Sequence, residues 1–233
     1  MINFIIIKVF GKENFKLSNE VPTSYILRLG IKFCIGLIRG KLKTLKIKDK
    51  GKNIIIGKKV VLLVRKKISM GNNVRLEDGV FLDALSTEGI VLGEKVKLGA
   101  NSKLLCTGSL ENLGKGIKIG SNTSFAENTF FGAAGGIVIG EDVISGQNVR
   151  FHSENHNFSN LDELIRKQGV SRKGIKIGSN CWIGSGVVFL DGADVGSGCV
   201  IAANAVVAGT FQQNEIIGGI PAKTLKRRTN KSE

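Results

Sequence analysis

The chain has little proline, few aromatic residues and few histidines, and these shortages narrow the class of protein. It contains 2 prolines, 2 histidines and 6% aromatic residues, against 31 glycines among 233 residues. Collagen-like and disordered low-complexity chains combine glycine with much more proline, so this composition argues against both classes. Abundant glycine without proline favours an architecture built from glycine-punctuated repeats.

The cysteines also form no paired motif. Cys34, Cys106, Cys181 and Cys199 are far apart and make no CxxC pair. Met1 is followed by an apolar run that lacks the basic region and the small-residue cleavage site of a secretory signal. We therefore expect free thiols and a cytoplasmic protein, with peripheral contact at the inner face of the membrane left open by the charge pattern.

Positive charge is concentrated at the two ends of the chain. The formal net charge is +15, with +9 on residues 1–52, +5 on 53–67, +4 on 223–233 and −3 on 68–222. A nucleic-acid groove would spread basic residues over the domain, so we expect no nucleic-acid partner. Basic ends suit an anionic membrane surface at one end and a phosphate-bearing ligand at the other.

A six-residue period near the C-terminus predicts the fold. A large apolar residue starts each hexad and a compact residue follows four positions later. The starting residues are Ile177, Ile183, Phe189, Val195, Ile201 and Val207, and the compact ones are Cys181, Val187, Ala193, Cys199 and Ala205. Neither the period of a helix nor that of an ordinary strand fits. Three six-residue faces make an 18-residue coil, whose starting residues stack inside a triangular prism of parallel strands.

Earlier stretches carry the same pattern with interruptions, the largest of which runs from about Ser153 to Gly174. An insertion that stays outside the stack leaves the core intact, so we expect an ejected loop there. The predicted organisation is a basic, partly helical segment over 1–52, the repeat domain over 53–222 and a basic tail over 223–233.

Two segments resemble the hexapeptide-repeat acyltransferases: Ile177-Gly-Ser-Asn-Cys-Trp-Ile-Gly-Ser-Gly and Ile217-Gly-Gly-Ile-Pro-Ala-Lys. They are similar to the maltose/galactoside acetyltransferases and to the O-acetyltransferases of surface-polysaccharide synthesis. The resemblance covers residues 54–228 and implies an all-β, left-handed parallel β-helix that forms a homotrimer and binds acetyl-CoA between neighbouring prisms. The implied reaction is acetyl transfer to a sugar hydroxyl of capsule, O-antigen or exopolysaccharide.

Both histidines lie where the largest interruption begins. A sugar hydroxyl is a weak nucleophile at neutral pH, so acyl transfer to it needs a base such as imidazole. The resemblance implies that His156 is this base and that Glu154 orients it or contacts the acceptor. His152 either contacts the acceptor or packs. Two histidines in strand and loop, without a third, do not predict a zinc site, so we expect no metal.

The resemblance also implies a set of cofactor contacts. Trp182 and Ser185 would face the pantetheine and the thioester, and a backbone amide near Ser185 would stabilise the oxyanion. Ala203 would bind the pantetheine through its backbone. Lys223 and Lys226 would contact the CoA phosphates, unless they form a solvated tail.

The acceptor is less well defined. Galactoside-type relatives carry an Asn and an Asp where this chain has Ala126 and Ala134, and a Thr-Lys pair is replaced by Ala208-Gly209. A simple galactoside is therefore not expected, and one CoA contact is missing. The candidate acceptor residues are His152, Asn128, Glu127, Gln168 and Arg172. The alternatives are an amino sugar, serine or an antibiotic as acceptor, or a non-catalytic scaffold. The acceptor is either free, nucleotide-linked or lipid-linked.

Residues 24–46 predict an amphipathic helix, with aliphatic residues at spacings of three and four. These residues are Leu27, Ile31, Ile35, Ile38, Leu42 and Leu45. Gly30, Gly36 and Gly40 each weaken a helix by about 1 kcal/mol relative to alanine, which argues against a rigid cap. The uncharged stretch Phe33–Ile38 is too short to span a bilayer. The helix either covers the open end of the prism or lies on anionic lipid.

Overall fold

The computed structural model describes residues 17–229, most of which form a prism with three faces. Each face is a sheet of parallel strands, except that the last strand of the second face is antiparallel to its neighbour. The first face contains Asp49–Lys50, Ile68–Met70, Ser86–Leu92, Gly114–Ile119, Ile137–Ile139, Ile175–Ile177, Asp194–Val195 and Thr210–Phe211. The second contains Ile55–Ile56, Arg75–Leu76, Lys97–Leu98, Ser124–Phe125, Ile144–Ser145, Trp182–Ile183, Val200–Ile201, Glu215–Gly219 and Ala222–Arg227. The third contains Val61–Leu63, Phe81–Asp83, Lys103–Leu105, Phe130–Gly132, Arg150–His152, Val188–Leu190 and Val206–Val207.

The remaining elements lie outside this stack. Helix α1 spans Thr23–Lys43, and 3₁₀ turns cover Arg65–Lys67 and Ile165–Lys167. Strands Asn155–His156 and Val170–Ser171 form a small antiparallel pair within the ejected loop. The architecture is the left-handed parallel β-helix that the resemblance implies, with the predicted loop in place.

The two halves of the prism differ in the number of residues per coil. Trp182 pairs with Val200, so these coils contain 18 residues, whereas Ile55 pairs with Arg75, so the first coil contains 20. The extra residues leave the prism at the corner where the third face ends and the first begins. The segments 84–85, 106–113 and 153–174 all occupy this corner, between third-face and first-face strands. Insertions therefore accumulate along one edge while the other two corners keep their spacing.

The prism core consists of the hexad residues that the sequence pattern predicts. Phe131, Phe151 and Phe189 stack on successive coils, with ring centroids 4.7 Å apart and nearly parallel planes. The compact second positions are buried beside them, including Cys181 and Cys199. Burial raises the pKa of the Cys181 thiol to about 11, because the thiolate would lose its hydration.

Helix α1 packs on the first coil through glycine. Gly36 and Gly40 are buried, and a Cβ on Gly40 would collide with the Ile54 carbonyl oxygen. The Thr44 hydroxyl donates to the Gly40 carbonyl at 2.6 Å, and Lys32 Nζ lies 3.0 Å from Glu77 Oε2. The inference that glycine argues against a cap helix was therefore wrong, because these glycines make the close contact. Between residues 17 and 229, no helix has the length and apolar character needed to cross a membrane.

Candidate active site

The ejected loop presents both histidines outside the core. His152 ends the third-face strand Arg150–His152, and His156 ends the short strand that follows. His156 is opposite Val170 in the antiparallel pair, which closes the loop at its base. This pairing gives His156 a defined backbone position while its side chain remains exposed to solvent.

Arg172 organises the loop around Glu154. Its Nε lies 2.6 Å from Glu154 Oε2, a charge-assisted contact between partly buried side chains. Its Nη1 donates to Asn112 Oδ1 at 3.0 Å and to the Leu113 carbonyl at 3.3 Å. Arg172 thus ties the histidine loop to the neighbouring corner loop and holds the carboxylate two residues before His156.

His152 packs beside an aromatic ring. Its ring centroid is 5.6 Å from that of Phe130 on the neighbouring third-face strand. Desolvation by burial, followed by the nearby Arg150 cation, lowers the pKa of His152 below its usual 6.5. This shift favours the neutral imidazole, which can accept a hydrogen bond.

The outer part of the loop forms an open depression around His156. The residues that line it are Asn155, His156, Asn157, Phe158, Ser159 and Ser171. Gln168 stabilises the loop itself, since its Nε2 donates at 2.7 Å to the carbonyls of Asn160 and Glu163. The side chain predicted to bind the acceptor is thus used in an internal hydrogen-bond network.

The two remaining acceptor candidates lie at a different corner. Glu127 and Asn128 are exposed between the second and third faces, and Asn128 has φ = 58°. Asparagine tolerates this left-handed conformation, so the turn alone explains the residue type. Within one chain, the structure does not bring these residues together with the histidine loop.

The predicted cofactor residues gather along that same corner. Ser185 and Ala203 occupy equivalent positions on successive 18-residue coils, between the second and third faces. Trp182 begins the second-face strand just before Ser185, and its side chain is 57% exposed. Ser185 Oγ donates to Gln147 Oε1 at 3.3 Å, one coil below. An exposed edge of stacked turns is therefore available to a long ligand.

Lys223 and Lys226 lie in the strand Ala222–Arg227, although the sequence alone left them in a tail. This strand pairs antiparallel with Glu215–Gly219 on the second face. Buried Glu215 anchors the pair by accepting hydrogen bonds from the Thr224 hydroxyl at 2.9 Å and the Gln212 amide at 3.0 Å. The backbone of both lysines is thus held at the C-terminal end of the prism, and their side chains are exposed.

Between 17 and 229, no three His, Cys, Asp or Glu side chains come together as a metal site would require. The sequence-based expectation of an enzyme without a metal stays a prediction.

Comparison with known families confirms the hexapeptide resemblance. The model "Bacterial transferase hexapeptide (six repeats)" matches residues 174–209, and "Hexapeptide repeat of succinyl-transferase" matches residues 73–106. The first match covers the regular 18-residue coils, and the second covers coils of the interrupted half.

Curated relatives share part of the chain. It is 26% identical over 132 residues to the putative lipopolysaccharide biosynthesis O-acetyl transferase WbbJ of Escherichia coli, covering 53% of this chain and 67% of that protein. It is 38% identical over 95 residues to a putative acetyltransferase of Schizosaccharomyces pombe, covering 40% of this chain and 44% of that protein. The chain covers 31% of the length of a further relative, a probable acetyltransferase of Mycobacterium tuberculosis.

A solved structure has the same fold. A mutant of AntD, an N-acyltransferase from Bacillus cereus crystallised with dTDP and coenzyme A, superimposes with a TM-score of 0.55. The superposition covers 82% of this chain and 90% of that chain at 19% sequence identity. At this identity the likeness supports the fold and no particular acceptor.

Proposed function

We propose that this chain, which carries the repeats of the hexapeptide transferases, is an acetyl-CoA-dependent O-acetyltransferase acting on a sugar hydroxyl. The observation that carries the proposal is the ejected loop, which holds exposed His156 on a paired strand at the edge of the prism. The name of the relative WbbJ favours a role in surface-polysaccharide synthesis. Capsule, O-antigen and exopolysaccharide sugars are therefore the first acceptors to test.

The proposed reaction is a direct transfer. The His156 imidazole removes the proton of the acceptor hydroxyl, whose oxygen then attacks the thioester carbon. A backbone amide near Ser185 stabilises the negative charge that develops on the carbonyl oxygen. The carbon–sulfur bond breaks, the acetyl group remains on the sugar oxygen, and the leaving CoA sulfur takes the proton from the imidazolium.

A complete site requires two neighbouring chains. The histidine loop leaves the prism between the third and first faces, whereas Ser185 and Ala203 lie between the second and third. A homotrimer would place the loop of one chain against the cofactor edge of the next. In that arrangement, Lys223 and Lys226 would meet the CoA phosphates at the end of the edge.

The acceptor would lie between the loop and this edge. We propose that Arg172 acts by positioning Glu154, since its guanidinium already contacts that carboxylate and the adjacent loop. Neutral His152 beside Phe130 offers a hydrogen-bond acceptor and an aromatic surface to a sugar ring. Glu127 and Asn128 would reach the acceptor from the neighbouring chain.

The test compares the two histidines. Acetyl transfer from radiolabelled acetyl-CoA is measured on a panel of hydroxyl and amino sugars, free, nucleotide-linked and lipid-linked. His156→Ala should lower the rate by about 10²–10⁴-fold, because a general base is lost. His152→Ala is the matched control, and its loss should be smaller.

The outcome is decisive only if both variants remain assembled, which light scattering verifies. Activity of His156→Ala within about threefold of wild type would remove it as the base. Transfer to amines with none to hydroxyls would replace the proposed reaction by N-acetylation.

A further inference from the structure

Helix α1 presents its apolar stripe away from the prism. Leu27, Ile38 and Leu42 are 64%, 60% and 62% exposed, whereas Gly36 and Gly40 form the buried face. A surface helix ordinarily turns its apolar stripe toward the core. Here the orientation is reversed, and the reversal leaves a row of large aliphatic side chains in water.

The exposed residues form one continuous stripe. Leu27, Ile31, Ile38 and Leu42 recur at spacings of four, seven and four, so they lie on one side of the helix. The 21 residues of α1 extend about 30 Å along its axis. The stripe is therefore long enough to lie flat on a surface, with many side chains in contact at once.

Cationic residues occupy the same end of the molecule. Lys46, Arg65 and Lys66 line a hollow on the first coil, beside Val64. Residues 17–67 include 14 lysines and arginines but only 2 acidic residues. A surface of this composition attracts anions and repels another surface of the same kind.

We propose that helix α1 and the cationic hollow dock the chain on an anionic lipid membrane, with the helix lying flat in the interface. The aliphatic side chains would enter the boundary between headgroups and acyl chains, and the cations would contact lipid phosphates. A second copy of this chain fits less well, because it would place like charges against each other. The proposal rests on the helix and the first coil and is independent of the proposed acetyl transfer.

The first experiment measures sedimentation of the full chain with vesicles. Vesicles of phosphatidylcholine containing phosphatidylglycerol should carry the protein into the pellet, and pure phosphatidylcholine should carry much less. Binding should fall as salt is raised, because the screening length shortens from about 10 Å at 0.1 M to about 3 Å at 1 M. Equal binding to both vesicles would overturn the electrostatic part of the proposal.

Variants separate the apolar contribution from the charged one. Replacing Leu27, Ile31, Ile38 and Leu42 together by serine should weaken partitioning by at least about tenfold. The control is Leu110→Ser, which removes an 82% exposed leucine from a corner loop. Equal loss in both variants, or no loss in the first, would contradict the proposal.

The contribution of the cationic hollow is tested with a second variant that has its own control. Replacing Lys46, Arg65 and Lys66 by glutamine should weaken binding to anionic vesicles by at least about tenfold, since each surface cation contributes about fivefold. The control replaces three exposed lysines on the body of the prism: Lys103, Lys118 and Lys176. An equal loss in the control would show that net charge, and not this surface, attracts the lipid.

Cys34 offers a direct probe of insertion. It lies three residues after Ile31 and four before Ile38, on the exposed side of α1, whereas the other three cysteines are buried. An environment-sensitive fluorophore on Cys34 should shift to shorter wavelength when anionic vesicles are added. An unchanged spectrum would contradict insertion of the helix.

Two alternatives to the proposal predict different results: a second copy of the chain covers the apolar stripe, or residues 1–16 make the lipid contact. If a second copy covers it, the spectrum should already be shifted without vesicles, and the four-serine variant should form a smaller oligomer in light scattering. If residues 1–16 carry the lipid contact, deleting them should abolish binding while the four-serine variant still binds. Either result would overturn the proposal.

Discussion

The prism and helix α1 differ in where they place their large apolar side chains: the prism turns them toward its core, and the helix turns them toward solvent. In the prism, the large apolar residues point inward, and Phe151 and Ile183 are fully buried. In the helix, glycine faces the protein, and Ile38 faces solvent. Both patterns are periodic, so periodicity identifies the element but not the side that is buried. The packing partner decides the side, because the first coil approaches Gly40 too closely to leave room for a Cβ there.

The largest expected effect is the loss of stability when an inward-facing ring is removed. Removal of an outward-facing aliphatic side chain is the comparison. Phe151→Ala should lower the free energy of unfolding by about 3–5 kcal/mol, because the ring stacks between Phe131 and Phe189 and leaves a cavity. Ile38→Ala should change it by less than about 0.5 kcal/mol. Urea unfolding at one protein concentration measures both. Similar losses would mean that the helix stripe is covered in the assembled protein.

A smaller effect is expected at the glycine contact between the two regions. Gly40→Ala should destabilise the protein by about 1–3 kcal/mol, since its Cβ would collide with the Ile54 carbonyl and force the helix outward. The same urea measurement, together with proteolysis of the helix, reports the displacement. Wild-type stability and protection would show that α1 does not need this close approach.

The smallest effect is expected at the matched glycine outside the contact. Outside the adjacent turns of the helix itself, a Cβ on Gly30 would have no neighbour within 4 Å among residues 17–229. Gly30→Ala should therefore stabilise the protein by up to about 1 kcal/mol, because alanine loses less backbone entropy in a helix. Thermal unfolding would detect the gain as a higher midpoint. A lower midpoint would indicate that this side of the helix is also in contact.

Much of the prism could be predicted from the sequence, because each coil repeats the same local requirement. Every six residues an apolar side chain must face a narrow core, and residues such as Phe189 and Val195 meet that requirement without reference to distant segments. The break after Phe151 was visible for the same reason: the period stops there and resumes at Ile177. The histidine loop and its place outside the core therefore followed from the pattern.

The tertiary structure decided the features that depend on residues far apart in the chain. Arg172 reaches Asn112, 60 positions away, and no local pattern could pair them. Gln168 was predicted to bind the acceptor, but the folded loop uses its side chain for internal hydrogen bonds. The separation of the histidine loop from the Ser185 edge is likewise set by which corner each segment reaches. Such placements depend on how the coils stack. A sequence repeat determines the spacing of inward-facing residues, but it does not determine at which corner of the prism an insertion leaves the stack.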